Sequence, residues 1–203
     1  MPSSDPSRFD PREYQARFDA LAERGVDVHG EATFVRSLSP AAVLDAGCGT
    51  GRVAIELARH GIDTLGIDAD SSMISEARRL APDLTWLAAD LVDLALDRRF
   101  DVVVLAGNVP LFTKPGTEHD LVLACAAHVA HGGALVAGFQ LGSGYTLDQY
   151  DRSCAEAGLQ LAERWSTWTR ERFGAGNYAV SVHRRNWLTN RPDEDPSSAG
   201  SPP

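Results

Sequence analysis

Apolar positions in this chain switch between short unbroken runs and helical spacing, and the changes of period mark out its elements. Val43, Leu44 and Ala46 surround one acid in a run suited to a short strand buried on both faces. After a glycine turn, Val53, Ala54, Leu57 and Ala58 fall on one face of a helix from Arg52 to His60, with Gly61 as its stop. The pattern then repeats. Thr64 to Asp68 predicts a second strand, Met73 to Leu80 a helix capped by Asp70 or Ser71, and Thr85 to Asp90 a third strand. Asp101 to Ala106 carries four apolar β-type residues in a row and predicts the strand at the centre of the sheet.

The second half continues the alternation. Thr117 caps a helix to about Ala130, and His131-Gly132-Gly133 is expected to turn it into a fifth strand, Ala134 to Leu141. His128 and His131 read as surface or helix-end polar residues. Gly142 to Tyr145 reads as a flexible loop, and Thr146 with Gln149 caps a helix ending at Gly158. Leu159 to Trp168 and Tyr178 to Arg184 alternate around a glycine-rich link, which predicts a hairpin. At the other end, Asp10-Pro11-Arg12-Glu13 opens a helix to about Arg24 with Tyr14, Phe18 and Leu21 on one stripe, and Glu31 to Leu38 predicts a short helix ended by Pro40. The expected organisation is an N-terminal helical cap over 1–38, an α/β domain over 39–188, and a polar, proline-rich disordered tail over 189–203.

Composition narrows the classes. A chain of 203 residues suits one well-buried domain. Its 19 basic against 28 acidic residues give a net charge of −9 with no basic stripe, which argues against a nucleic-acid partner. Cys48, Cys125 and Cys154 are widely spaced, so they read as buried or incidental thiols of a reducing cytosol and not as a zinc site. No apolar run reaches the length of a membrane span, and Met1 to Asp10 lacks the apolar core of a signal peptide. These features predict a cytoplasmic protein with no membrane partner.

The candidate chemistry lies in Val43 to Gly51, read V-L-D-A-G-C-G-T-G. Strand, glycine turn and helix open a nucleotide-binding unit, in which exposed N–H groups meet the ligand. Gly47 and Gly49 match the start of the dinucleotide fingerprint, but Arg52 occupies the place of its third glycine, and no G-K-[ST] follows to make a phosphate loop. Asp68, about twenty residues beyond the turn, can accept hydrogen bonds from both ribose hydroxyls.

Asp45, Gly47, Gly49 and Gly51 fill every fixed position of D/E-x-G-x-G-x-G, and this stretch resembles motif I of the class I S-adenosylmethionine-dependent methyltransferases. Asp68, Asp90 and Asn108 follow in the family's order, and the resemblance runs from about Glu31 to Asn186. It implies a doubly wound, Rossmann-like α/β fold with a seven-stranded, mostly parallel sheet whose last strand is antiparallel. It also implies S-adenosylmethionine as cofactor. The backbone from Gly47 through Cys48 and Gly49 to Gly51 would lie against its methionine and ribose parts, Asp68 would take the ribose hydroxyls, Asp90 with the Leu91 backbone would read adenine, and Asp45, Ala69, Met73 and Ala89 would be further cofactor contacts. Asn108 would orient the methionine end or the acceptor.

The resemblance implies a small-molecule acceptor, for which Tyr14, Phe18, Asn108, Phe112, Gln140 and Tyr145 are candidate contacts. Transfer needs donor and acceptor held in line. Where a base is also required, Tyr14, His29, His119 and Tyr145 are candidates, with no spacing that selects among them. The fourth strand end carries no acid of the metal-dependent catechol type, so no metal is expected. Two alternatives stay open: a nicotinamide-dependent oxidoreductase, which shares Asp68 and the turn, and a non-catalytic S-adenosylmethionine-binding protein. Against the first stand Arg52 and the absence of a Tyr-x-x-x-Lys pair.

Overall fold

The computed structural model describes residues 10–174 and 176–186, so the expectations for the start of the chain and for the 189–203 tail lie outside the described residues. Helices α1 (Pro11–Glu23) and α2 (Gly30–Arg36) precede β1 (Ala42–Ala46), α3 (Arg52–Arg59), β2 (Asp63–Asp68), α4 (Ser71–Leu80) and β3 (Thr85–Ala88). Then come β4 (Phe100–Leu105), the single turn α5 (Val109–Phe112), α6 (Glu118–Ala127), β5 (Val129–Gln140), α7 (Leu147–Glu156), β6 (Leu159–Trp165) and β7 (Tyr178–Arg185). The strands form one sheet in the order β3-β2-β1-β4-β5-β7-β6. β1 to β5 pair in parallel, while β7 runs antiparallel to both β5 and β6, which places the expected antiparallel strand inside the sheet.

Each central strand feeds two cores, because successive side chains point to opposite faces. Leu44, Ala46, Val103 and Leu105 pack with Leu121 and Val122 of α6 on one face. Val43, Val102 and Val104 pack on the other with Val53 and Leu57 of α3 and with Ala32, Phe34 and Val35 of α2. Such two-sided burial explains the unbroken apolar run in β4. Trp86 closes a third cluster between α3 and α4, its Nε1 donating to the Ala81 carbonyl at 2.9 Å.

Local signals set most boundaries. Asp10 caps α1 by accepting from Arg12 N at 2.8 Å, Asp70 caps α4 by accepting from Ser72 N at 2.8 Å, and Thr146 and Gln149 form a reciprocal capping box on α7. Several boundaries differ from expectation, and β6 stops at Trp165, short of Trp168. α6 ends at Ala127 and β5 begins at Val129, so His131-Gly132-Gly133 lies within β5, at the register break opposite Phe100 and Val102. His128 caps the end of α6 as a helix-end polar residue, yet it is 4 % exposed and not on the surface, with Nδ1 2.7 Å from the Ala124 carbonyl and Nε2 accepting from Leu96 N at 2.9 Å. β3 stops at Ala88, which leaves Asp90 in the following turn.

The helical segments ahead of the sheet differ in kind. α1 contributes no buried residue, whereas Ala32, Phe34 and Val35 of α2 are between 0 and 1 % exposed, and the Phe34 ring meets Trp168 edge-on at 5.4 Å. The 1–38 cap foreseen from sequence therefore divides, and α2 belongs to the core.

Candidate functional site

The turn after β1 is fixed from three sides. Gly47 N and Cys48 N both donate to the Ile67 carbonyl, at 2.8 and 2.9 Å, and Gly49 N donates to Asp68 Oδ2 at 2.8 Å. Gly47 has φ +79°, and a Cβ built there would stand 2.5 Å from Val109 Cγ2. Gly51 has φ +86°, and a Cβ there would stand 2.3 Å from the Trp86 ring. A side chain at either position meets both backbone strain and a packed neighbour. Gly49 differs, since a Cβ there would meet nothing nearer than Tyr14 Cε1 at 3.8 Å. The turn is thus wedged between Val109 and Trp86 while its middle faces α1.

Two carboxylates serve this turn. Asp68, ending β2, accepts from Gly49 N through Oδ2 and from Asp70 N through Oδ1, each at 2.8 Å, which leaves each oxygen lone-pair capacity for a hydroxyl. Burial raises its pKa, against the lowering effect of those two N–H groups. Asp45 is 1 % exposed, and its Oδ2 accepts from Ala54 N at 3.0 Å. Burial pushes its pKa up to about 7, with Ala54 N–H and Arg52 opposing and Asp68 and Glu31 reinforcing. Burial also raises the Cys48 thiol well above its usual range, so it stays a protonated packing group.

The structure brings other candidates to the same edge of the sheet. Asn108 sits at φ 69° before α5, donates its N–H to the Gly138 carbonyl at 3.1 Å, and accepts from Gln140 N through Oδ1 at 2.7 Å. That side chain staples the ends of β4 and β5 together. Tyr14 and Phe18 stack edge-on at 5.1 Å, and burial raises the Tyr14 pKa. Asp90 accepts from Val92 N at 3.0 Å, Ala89 N donates to the Asp68 carbonyl at 3.0 Å, and Leu91 and Met73 are buried beneath. Ala69 is exposed, and so is Phe112, at 69 %.

Three acceptor or base candidates go elsewhere. Tyr145, expected on a flexible loop, is 8 % exposed and packs its ring 5.8 Å from Phe139 in the core. His119 is held between α6 and α7, with Nδ1 3.0 Å from Ser153 Oγ and Nε2 3.5 Å from Glu156. His29 Nδ1 lies 3.8 Å from Glu56 on the outer side of α3. Among the described residues, no group of three or more His, Cys, Asp or Glu could hold a metal ion, and no helix is long and apolar enough to cross a membrane.

Sequence reasoning missed five contributors. Trp86 and Val109 wedge the turn, and Gln15 Oε1 accepts from Thr50 Oγ1 at 2.8 Å. Gly138 is backed by Trp168 and Tyr178, where a Cβ would stand 2.3 Å from the Trp168 ring and 2.7 Å from Tyr178 Oη. Arg52, read from sequence as the residue that breaks a fingerprint, forks onto Glu31 at 2.9 and 2.6 Å. A cation at the first position of a helix was the one available signal, since the helix dipole disfavours it there.

The geometry fits the adenosyl cofactor that the motif implies. The turn is left-handed where close backbone approach is needed, and Asp68 keeps acceptor capacity for the ribose. If Asp68 takes the ribose as the resemblance implies, removing that carboxylate deletes charge-assisted ribose bonds, and it frees the turn's Gly49 N–H. Asp68→Ala is therefore expected to weaken S-adenosylhomocysteine binding by about thirty-fold or more, roughly 2–4 kcal/mol, in titration calorimetry. An unchanged affinity would place the ribose elsewhere.

Comparison with known proteins gives a consistent result. The family model described as a methyltransferase domain matches residues 43–133. A TehB-like S-adenosylmethionine-dependent methyltransferase from Corynebacterium glutamicum superposes with a TM-score of 0.80 at 30 % identity, covering 87 % of this chain and 98 % of that one. The cypemycin N-terminal methyltransferase of a Streptomyces species is 31 % identical over 64 % of this chain and 56 % of its own length. The dTDP-3-amino-3,4,6-trideoxy-alpha-D-glucopyranose N,N-dimethyltransferase of Streptomyces venezuelae is 33 % identical over 56 % of this chain and 51 % of its own. The chain thus spans about half the length of these two curated relatives.

Proposed function

We propose, from the premise that this chain belongs to the class I S-adenosylmethionine-dependent methyltransferases, that it transfers the cofactor's methyl group to an amine nitrogen of a small molecule. When bound, the cofactor supplies an activated methyl group on a cationic sulfonium. The chain's own residues then bind, orient and exclude water. The turn from Gly47 to Gly51 gives the backbone cradle, Asp68 takes the ribose, and the Asp90 turn borders the adenine end. Asn108 sets the distance between the β4 and β5 edges where an acceptor enters, and Tyr14 covers the middle of the turn.

The observation that carries the amine reading is the state of Tyr14. Of the four candidate bases it is the one set against the turn, and its phenol, already a weak acid, is raised further by burial, which makes it no ready base. A hydroxyl acceptor needs a base to make it nucleophilic. A neutral amine brings its own lone pair and sheds its proton to water after transfer, so positioning alone suffices. One of the relatives described above is named an N,N-dimethyltransferase and the other is named for methylation at an N-terminus, which supports the same choice.

A nicotinamide reading is disfavoured by Arg52, whose buried fork to Glu31 fills the place where the dinucleotide fingerprint has a glycine. The proposal is tested with S-adenosylmethionine and two acceptor panels, one of amino sugars and peptides with free N-termini and one of phenols and quinols. The expected result is S-adenosylhomocysteine release with a one-methyl mass gain in the amine panel. Transfer confined to the hydroxyl panel would overturn the amine assignment, and cofactor binding without transfer to either panel would favour a non-catalytic binder.

A further inference from the structure

Arg52 opens α3, at a helix end where unpaired N–H groups and the helix dipole make a cation unfavourable. Its side chain is nonetheless only 12 % exposed. Three segments from ahead of the sheet converge on it. Glu31 of α2 accepts from Nη1 and Nη2 at 2.9 and 2.6 Å, the Val28 carbonyl accepts from Nη1, and the Phe18 ring of α1 lies 4.5 Å below the guanidinium. Beside it, Thr50 of the turn donates to Gln15 of α1, and Gly49 faces Tyr14. Because α1 buries no residue of its own, contacts of this kind carry its docking onto the turn.

We propose that Arg52 is a positioning residue for the cofactor, locking the cap to the residue that directly follows the glycine turn so that cap closure and turn geometry are one event. The proposal rests on the reading of that turn as the S-adenosylmethionine site. A planar guanidinium suits this task, since it can satisfy a carboxylate fork, a carbonyl and an aromatic face together, which an ammonium cannot. An unfavourable charge kept at a helix start, and neutralised from another element, is the kind of local conflict that marks function.

The test titrates the full-length wild type, Arg52→Gln, Glu31→Gln, Arg52→Lys and the double variant Arg52→Gln/Glu31→Gln with S-adenosylhomocysteine. Trypsin cleavage at Arg12 and Arg17 is followed with and without the ligand. Each Gln variant is expected to bind about ten-fold or more weakly and to lose the ligand's protection of α1, with the double variant no worse than the weaker single one. Arg52→Lys, which keeps the charge and loses the fork, should recover part of the affinity. A purely structural arginine would lower the melting temperature while leaving affinity and ligand protection unchanged, and that outcome, or losses that simply add, overturns the proposal. If Arg52→Gln does not fold, Arg52→Lys and Glu31→Gln decide by the same two readouts. A wild type that binds no S-adenosylhomocysteine refutes the cofactor site itself, whereas a binding wild type with unaffected variants refutes only the role of Arg52.

Discussion

A chain that begins at Val26 is expected to keep its cooperative fold while binding S-adenosylhomocysteine at least about ten-fold more weakly, whereas one that begins at Ser39 is expected not to fold. The difference follows from burial. α1 contributes no buried residue and docks through Tyr14, Gln15 and Phe18 onto the glycine turn and Arg52. On the proposed reading of the turn as the cofactor site, its loss would remove a lid that excludes water without opening the core. α2 instead places Phe34 and Val35 at 1 and 0 % exposure against Val43, Val53 and Val102. Truncating one buried Phe costs about 3–5 kcal/mol, and domains of this size are stable by only about 5–15 kcal/mol. Circular dichroism melting and calorimetry on both shortened chains separate the two effects. Undiminished affinity in the Val26 chain would refute the cap, and a stable Ser39 chain would refute the place of α2 in the core.

The second large effect is a pH dependence centred on Asp45. Burial pushes its carboxyl in the folded chain up to about 7 from the ordinary 3.8. A raised folded pKa means that the native state binds the proton more tightly than the unfolded chain, so the group's contribution is present below pH 4 and lost as pH rises through 7. The loss amounts to about 4 kcal/mol in the ligand-free protein. His183 works against it. Burial lowers its folded pKa to about 4 from 6.5, so its contribution falls as pH drops from 6.5 to 4. The two slopes overlap in the whole protein, and a difference measurement isolates the first. Asp45→Asn keeps an acceptor for Ala54 N–H and carries no charge, so it should match wild type near pH 4 and exceed it in stability above pH 7. Denaturant unfolding across that range is the measurement, and equal curves at every pH would show that Asp45 is never strained by ionisation.

Much of this was legible in the residues because strand and helix periods seldom conflict here. The runs at Val43–Ala46 and Val102–Leu105 announced two-sided burial, and the caps at Asp10, Asp70 and Thr146 formed as their residue types require. The glycine turn was legible because three left-handed positions so close together have few other uses. The boundary at His128 was not, since nothing local reveals that Leu96, thirty-two residues earlier, supplies a buried N–H to its ring. Nor could spacing tell that α2 is core and α1 is not. Both carry apolar stripes, and only the tertiary partner decides which stripe is covered. Tyr145 was drawn inward for the same reason, by Phe139.

The central claim, that the turn from Asp45 to Gly51 with Asp68 is a site for S-adenosylmethionine and not for a nicotinamide, is met most directly by calorimetric titration of the full-length chain with S-adenosylhomocysteine and, separately, with NADH. The account predicts saturable binding of the first that Asp68→Ala weakens, and no heat of binding from the second. Saturable binding of NADH with none of S-adenosylhomocysteine would contradict it.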